Sequence, residues 1–258
     1  MQRAVLIFLS ILIALMSTNA CRKKANVSPI PAKYAGCRVS RITQVSIDKT
    51  VHTYNFYYND DGAISKINAV IPGSFTGDNY VIKFIYKNGC ILSNKYFDGE
   101  NFPAYMDSLA LDERDKITYI FHNSSSSNNN GLWDNYQYDS LGEMVFYYYK
   151  RYNGIGSENY QWKNGDLEWN SSGKFVYYYN YDTGVYNIGN INASLSDLIA
   201  YGRGIYIPIH LVSQAIRPAV QDTINTTYIL DSSGKITFIK EVETGNFVQT
   251  TQITYSCE

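Results

Sequence analysis

The segment YQYDSLGEM, residues 136–144, contains the pattern on which the fold of this chain depends. An aromatic strand ends at Tyr138, a polar turn follows, and the apolar Met144 begins the next strand. Asp139 is placed to bond the backbone of a tight turn, and Gly142 provides a residue that readily adopts a positive φ. Side chains on the two arms can then pair across the strands. The segment therefore predicts a β-hairpin.

The same pattern recurs along the chain at a nearly constant interval. Gly62 and Gly89 are 27 residues apart, Gly89 and Asp115 are 26 apart, and Asp115 and Gly142 are again 27 apart, with Asp115 standing where the other copies have glycine. This interval accommodates two strands and two turns, so we predict a string of hairpins. The further copies are residues 56–64 (FYYNDDGAI), 84–91 (FIYKNGCI), 111–117 (LDERDKI), 160–167 (YQWKNGDL) and 228–236 (YILDSSGKI).

Side-chain alternation within the copies supports strands. Over residues 51–58, His52, Tyr54, Phe56 and Tyr58 share one face. The chain contains about 14–16 such segments, and open sheets of more than ~10 strands tend to curl or split. We therefore predict an all-β fold, a long antiparallel meander of about 14–16 strands curled into a roll or barrel-like sheet.

The strand pattern lapses after residue 187. Residues 193–201 have the sequence of a short helix with a serine cap. Residues 210–216 would form a second helix, which Pro218 would end. We therefore predict a short helical insertion near residues 194–217 that covers one end of the sheet.

The first twenty residues have the composition of a secretory signal. Arg3 supplies a positive charge, residues 4–16 form an apolar run of 13 residues, and small residues lead to Cys21. Such a run is short for a membrane span, which needs about 20 apolar residues. A cysteine directly after Ala20 favours cleavage and acylation at Cys21, although Thr18 departs from the leucine that is common at that place. An uncleaved anchor and ordinary secretion with cleavage at Ala20 are the alternatives.

These features divide the chain into a signal peptide (residues 1–20), a lipidated tether (residues 21–36) and a single β-repeat domain (residues 37–258). The tether has two prolines and no hydrophobic periodicity. Its basic triplet, residues 22–24, would lie against anionic head groups, at about 1 kcal/mol per charge. We expect a lipid-anchored protein of the outer membrane of a Gram-negative bacterium, with the periplasmic and cell-surface faces both left open.

Acylation of Cys21 leaves three other cysteines. Cys37 opens the first strand-like segment and Cys257 ends the last. A disulfide between Cys37 and Cys257 would join the ends of the domain and stabilise it by roughly 4–5 kcal/mol. Cys90 lies in an apolar strand and is interpreted as a buried small hydrophobe.

Composition excludes some classes of partner. Of 22 basic residues one, Arg3, lies in the leader, so 21 basic and 23 acidic residues give the remainder a net charge of −2. This balance does not provide the basic field that nucleic-acid binding requires.

Tyrosine is abundant, with 25 Tyr against 11 Phe and 3 Trp. Tyrosine suits strands with one wet face, as in a large, thin sheet.

Residues 138–144, YDSLGEM, resemble the Tyr-Asp (YD) repeat of Rhs and teneurin proteins, which wind into long β-sheets. The leader with its cysteine, Cys37 after the tether, hairpins of this period and the helical interlude resemble a narrower group. That group is the exported bacterial lipoproteins classed as a domain of unknown function with a porin-like fold. The likeness extends over residues 37–257. It implies a curled antiparallel sheet of barrel-like outline and brings no catalytic residues.

Motifs of catalysis are absent from the sequence: it has no nucleophile elbow, P-loop, dinucleotide fingerprint or Cys-x-x-Cys. His52, His122 and His210 are scattered without a sequence neighbour that would make a metal or catalytic site, and are interpreted as structural. We therefore expect a non-enzyme that needs no cofactor or metal. A glycan-active enzyme is the least favoured alternative, because no catalytic motif supports it. Such an enzyme would need a carboxylate pair across a cleft, and the sequence cannot show that spacing.

Exposed aromatic rings on a β-surface are typical of binding modules, since rings can stack on sugars while Asn and Gln bond hydroxyls. The ordinary alternative is that such rings form the core and cross-strand pairs. We predict an envelope-anchored, non-catalytic binding module for a polysaccharide or a protein partner, with a structural or scaffolding envelope protein as the alternative. The candidate ligand-binding residues are Trp133, Tyr136, Trp162 and Trp169.

Three segments resemble the Asp-Ser/Thr-apolar acceptor of O-glycosylated exported proteins of gut-dwelling Gram-negative bacteria. Their acceptor residues would be Ser108, Ser140 and Thr223. Chance matches in a chain rich in Ser and Asp are the alternative.

Overall fold

The structure is a computed structural model of the 258-residue chain. It describes residues 38–72, 79–124, 131–152, 154–172, 175–186, 199, 210–244 and 247–256, so the leader and the tether lie outside the described residues. The described strands are β1 (Arg38–Val45), β2 (Val51–Tyr58), β3 (Ile64–Val70), β4 (Tyr80–Lys87), β5 (Cys90–Phe97), β6 (Tyr105–Leu111), β7 (Ile117–Ser124), β8 (Leu132–Tyr138), β9 (Met144–Arg151), β10 (Gly154–Lys163), β11 (Asp166–Ser172), β12 (Phe175–Tyr186), β13 (His210–Arg217), β14 (Asp222–Leu230), β15 (Ile236–Glu243) and β16 (Phe247–Ser256), with a 3₁₀ turn at Pro218–Val220.

The sixteen described strands close into one antiparallel barrel. Each strand pairs with the next along the chain, and β1 pairs with β16, where Arg38 lies opposite Ser256 and Val45 opposite Thr250. Closure gives every strand two partners and removes the free edges that would otherwise invite aggregation. The predicted all-β meander with a barrel-like sheet is confirmed.

Three of the repeated turns, those that begin at Asp112, Asp139 and Asp231, share one hydrogen-bond pattern. The Asp139 carboxylate accepts from the backbone N–H groups of Leu141 and Glu143, both at 2.9 Å. The Asp139 N–H donates to the Glu143 carbonyl at 3.0 Å, and Gly142 has a φ of 82°. The turns that begin at Asp112 and Asp231 repeat these bonds. At the copy without glycine, Asp115 adopts the positive φ, 61°.

A second set of bonds joins each repeat to the one before it. The Tyr138 hydroxyl donates to the carbonyl of Ile117 at 2.8 Å, and Ile117 is the first apolar residue after the preceding turn. Aromatic residues at the same place in other strands bond the equivalent carbonyls and so tie neighbouring hairpins together. The equivalent pairs are Tyr86 with Ile64, Trp162 with Met144 and Tyr255 with Ile236.

The interior is a packed core at the level of these turns. Ile42, Ile67, Ile91 and Ile120 are completely buried and belong to one hydrophobic cluster that draws on most strands. On β4 the buried Ile82 and Phe84 alternate with exposed Lys83 and Ile85. Apolar side chains therefore mostly face inward, and charged, amide and hydroxyl side chains stand on the outer wall.

The predicted second helix at residues 210–216 is wrong. His210–Arg217 forms β13, which pairs with β12 and β14. The segment is short and contains Val212 and Ile216, and pairing on both sides overrides its weak helical pattern.

The predicted first helix at residues 193–201 lies outside the described residues except for Ile199, which is helical and buried in the core cluster. Within the described ranges, no helical segment has the length and apolar character that crossing a membrane requires.

Candidate functional site

A network of charged side chains surrounds Asp134, which is 1% exposed, whereas the Arg151 side chain that joins it is 42% exposed. His122 Nε2 lies 2.9 Å from Asp134 Oδ2, and His122 Nδ1 lies 2.9 Å from Asp107 Oδ1. Arg151 donates to both oxygens of Asp134, and the Tyr147 hydroxyl donates to Oδ1 at 3.0 Å. Each acidic group of the network thus has a charged or hydroxyl partner.

Strand register brings these residues together. Asp107 on β6 pairs directly with His122 on β7, and Asp134 on β8 lies opposite Tyr149 of β9. Tyr147, Tyr149 and Arg151 alternate along β9, so their side chains share the inner face with Asp134. The network therefore spans four consecutive strands toward the end of the barrel away from the repeated turns.

The electrostatics of the network leave no free base. Burial alone would lower the pKa of His122, but its bonds to Asp107 and Asp134 outweigh burial and raise that pKa to about 9. Burial would raise the pKa of Asp134, and the bonds from His122 and Arg151 hold it below its usual value. At neutral pH two carboxylates thus face an imidazolium and a guanidinium. In this arrangement the charged groups are paired with one another, and none of His122, Asp134 and Arg151 is the unpaired acid or base that general acid–base catalysis requires.

The outer wall carries an aromatic row on β7, β8 and β9. The rings of Tyr119 and Trp133 stack with centroids 6.3 Å apart, and the rings of Trp133 and Tyr148 are 5.2 Å apart. Phe146 extends the row, 6.4 Å from Tyr148 and nearly parallel to it. Asn135 stands beside Tyr119 and Tyr148 as their cross-strand neighbour. The row, defined as Tyr119, Trp133, Phe146 and Tyr148, therefore combines partly exposed rings with an amide.

A second outward aromatic group lies on β11 and β12. The Trp169 indole donates to Gln161 Oε1 at 2.8 Å, and Trp169 lies opposite Tyr178, which is 46% exposed. Ser157 on β10 and Ser171 on β11 stand on the same outer face, near the aromatic row and Trp169 respectively. The wall from β7 to β12 therefore offers rings, amides and hydroxyls together.

The four candidate binding residues divide between the two faces. Trp133 and Trp169 face outward. Tyr136 is buried inside, with its ring stacked on Tyr147 at 4.9 Å. Trp162 also faces the interior, and its indole donates to the Met144 carbonyl at 2.7 Å. The structure thus brings Trp133 into an outward aromatic group and gives Tyr136 and Trp162 contacts within the barrel.

The three acceptor candidates differ in access. Ser140 lies exposed in a repeated turn, next to Leu141, which is 81% exposed. Ser108 is buried in β6. Thr223 lies in β14, partly buried, and its N–H is bonded to Thr244 Oγ1. Ser140 is therefore the most accessible of the three.

The cysteines require one correction. Cys90 is buried as predicted, but it is disulfide-bonded and so is not a free thiol. Cys21, Cys37 and Cys257 lie outside the described residues, although Arg38 and Ser256, next to Cys37 and Cys257, face each other. If the bridge of Cys90 is within the chain, its partner is one of these three. If Cys21 is acylated, the partner of Cys90 has to be Cys37 or Cys257. Acylation of Cys21 and a Cys37–Cys257 bridge therefore exclude one another.

Sequence reasoning missed the charged network because its members are distant along the chain. His122 is 15 residues from Asp107 and 12 from Asp134. His122 has no carboxylate near it in the sequence, but the turn at residues 112–115 folds Asp107 back onto it. Pairing residues across that predicted turn was the available signal. In the parts of the chain that the structure describes, no group of three or more His, Cys, Asp and Glu is placed to hold a metal ion.

Comparison with known proteins gives a likeness in structure. No protein-family model matches the chain, and no curated protein matches it. A porin-like protein from Bacteroides uniformis ATCC 8492 is 14% identical, with a TM-score of 0.61 over 85% of this chain and 98% of that chain. A porin-like protein from Bacteroides vulgatus ATCC 8482 is 15% identical, with a TM-score of 0.43 over 84% and 98%. The TcdB2-TccC3-Cdc42 complex is 11% identical, with a TM-score of 0.34 over 91% of this chain and 11% of that chain. The first of these shows that the fold is shared with a porin-like protein.

Proposed function

We propose that this chain is a non-catalytic envelope lipoprotein whose barrel binds a polysaccharide through the aromatic row. The observation that carries the proposal is the position of Trp133 on the outer wall, stacked on Tyr119 and packed at a tilt against Tyr148, with Asn135 beside them. Ring faces present apolar area to the C–H groups of a sugar, and neighbouring amides can bond its hydroxyls. An outward row of this kind suits an extended polymer better than a small, enclosed ligand.

The lack of catalysis is supported by the buried network. His122 is bonded through both ring nitrogens, and Asp134 is saturated by His122, Arg151 and Tyr147. A group so engaged has neither a free lone pair nor access to a substrate. The network is therefore better suited to holding β6 to β9 in register.

The location rests on the leader and on the outer wall together. Mid-strand outward positions carry side chains such as Lys83, Asn135 and Lys240, whereas a membrane-spanning barrel presents an apolar band to lipid. We propose that the barrel stays in water and that acyl chains on Cys21 hold the protein to the outer membrane. Two or three acyl chains would give stable attachment, at ~0.8 kcal/mol per buried CH₂.

A glycan array tests the binding proposal. The mature chain with Cys21→Ser would be applied to arrayed bacterial, plant and animal polysaccharides, and Trp133→Ala would be compared with Phe238→Ala, which removes an outward ring of β15 far from the row. We expect Trp133→Ala to weaken binding at least tenfold and Phe238→Ala to leave it unchanged. Absence of binding to every polysaccharide would overturn the proposal and favour a scaffold that contacts another envelope protein.

A further inference from the structure

The outer wall of β1 to β5 has a charge pattern of its own. Four basic side chains point outward from its strands, and no described outward position of these strands carries a carboxylate. The carboxylates that the structure describes in this region stand in turns, as Asp48 and Asp61 do, or on the loop after β5. We call this surface the basic wall, with the charges of Arg41, Lys66, Lys83 and Lys87.

Two of these charges lie directly side by side. Lys66 on β3 is the cross-strand neighbour of Lys83 on β4. Like charges in such a pair repel each other. The Lys66 ammonium lies 4.0 Å from the centroid of Tyr57, and the Lys83 ammonium 4.7 Å from that of Tyr96. The rings relieve part of the repulsion without neutralising the charge, so the pair remains complementary to an anion.

Apolar groups are exposed between the lysines. Tyr57, Val70 and Ile85 are 43%, 40% and 45% exposed on the same wall. A face that mixes cations with exposed aromatic and aliphatic side chains, and has no carboxylate, matches the boundary between phosphate head groups and acyl chains.

The length of the tether allows this wall to reach a membrane. β1 is one strand of the basic wall, and 16 residues, 22–37, separate it from the proposed acylated cysteine. A chain of that length spans at most about 60 Å. We propose that the basic wall lies on the anionic lipid surface of the membrane that holds the anchor. The inference rests on the proposed envelope location and does not depend on the polysaccharide site. Trp133 on β8 lies on a different part of the outer wall, outside β1 to β5.

Vesicle co-sedimentation tests the proposal without the anchor. The mature chain would carry Cys21→Ser and glutamine at residues 22–24, so that neither acyl chains nor the tether contribute. Vesicles of phosphatidylcholine with phosphatidylglycerol would be compared with vesicles of phosphatidylcholine alone. We expect binding to the anionic vesicles only, and we expect Lys66→Gln with Lys83→Gln to lower it roughly thirtyfold, since each charge near the surface contributes about fivefold.

Lys163→Gln with Lys240→Gln is the matched control, because both lysines are exposed on the walls of β10 and β15. Loss confined to the basic-wall pair supports the proposal. Equal loss in both pairs, no binding by the parent chain, or binding to a soluble acidic polysaccharide in place of vesicles would overturn it. Melting temperatures of all variants would exclude unfolding as the cause. Polysaccharide binding measured on the same variants separates failure here from failure of the proposed function.

Discussion

The buried imidazolium makes the stability of the barrel depend on pH in a defined direction. The pKa of His122 is raised from 6.5 to about 9 because two carboxylates accept from its ring nitrogens, which outweighs the cost of burial. A proton is then bound more tightly by the folded chain than by the unfolded chain. The stabilisation is fully present below pH 6.5 and is lost as the pH rises through 9.

The magnitude follows from the two pKa values. One pKa unit corresponds to 1.36 kcal/mol, so the free energy of unfolding should fall by about 3 kcal/mol across this window. The figure is appropriate to a side chain that is only 19% exposed, because solvent screens it little. In a barrel with a stability of about 10 kcal/mol this is a large fraction.

Urea denaturation at pH values from 6 to 9 measures the effect, because burial raises the pKa of tyrosines such as Tyr80 and Tyr255, and above this range they add a pH dependence of their own. The wild-type chain should lose about 3 kcal/mol of unfolding free energy, and His122→Gln should show a nearly flat profile over the same range. Asp107→Asn removes one carboxylate and should move the fall to lower pH. The reasoning is refuted if wild type and His122→Gln show the same pH dependence, or if the wild type becomes more stable as the pH rises.

Three further predictions concern the repeat and the modifications. Tyr138→Phe should cost about 1–2 kcal/mol in urea denaturation, because a buried carbonyl loses its donor, whereas Tyr178→Phe on the outer wall should cost less than about 0.5 kcal/mol. Non-reducing peptide mapping should find Cys90 linked to one of the other three cysteines, and recovery of Cys90 as a free thiol from non-reduced protein would contradict the structure. If the native host adds hexoses to the protein, intact mass should fall to the unmodified value in Ser140→Ala and stay unchanged in Ser108→Ala; the reverse result would contradict the assignment by exposure.

The repeat could be predicted because its information is local. A turn such as that of residues 139–142 is determined by an Asp that bonds its own backbone and a Gly with positive φ, and both are visible in sequence. The period of these turns then gives the number of strands, and the number of strands requires closure. The regular spacing of the turns also indicates that Asp115 takes the position that glycine has in the other copies, and Asp115 has the positive φ of that position.

The remaining features depend on contacts that are remote along the chain. β13 became a strand because β12 and β14 bond it on both sides, which its own residues do not reveal. Trp133 and Tyr136 are three residues apart, so alternation puts them on opposite faces of β8. Choosing the outward one requires knowing which face of β8 is the interior, and Asp134, a charged residue on the inner face, obscures that choice.

The central claim is that acylation of Cys21 holds the barrel at the envelope and that the barrel itself does not cross the membrane. Its most direct test is fractionation of host cells that express the wild-type chain or Cys21→Ser, with membranes washed in high salt and carbonate. The account predicts that the wild-type protein stays with the membranes and that Cys21→Ser is released as a folded, soluble barrel. A Cys21→Ser protein that remains in the washed membranes would contradict it.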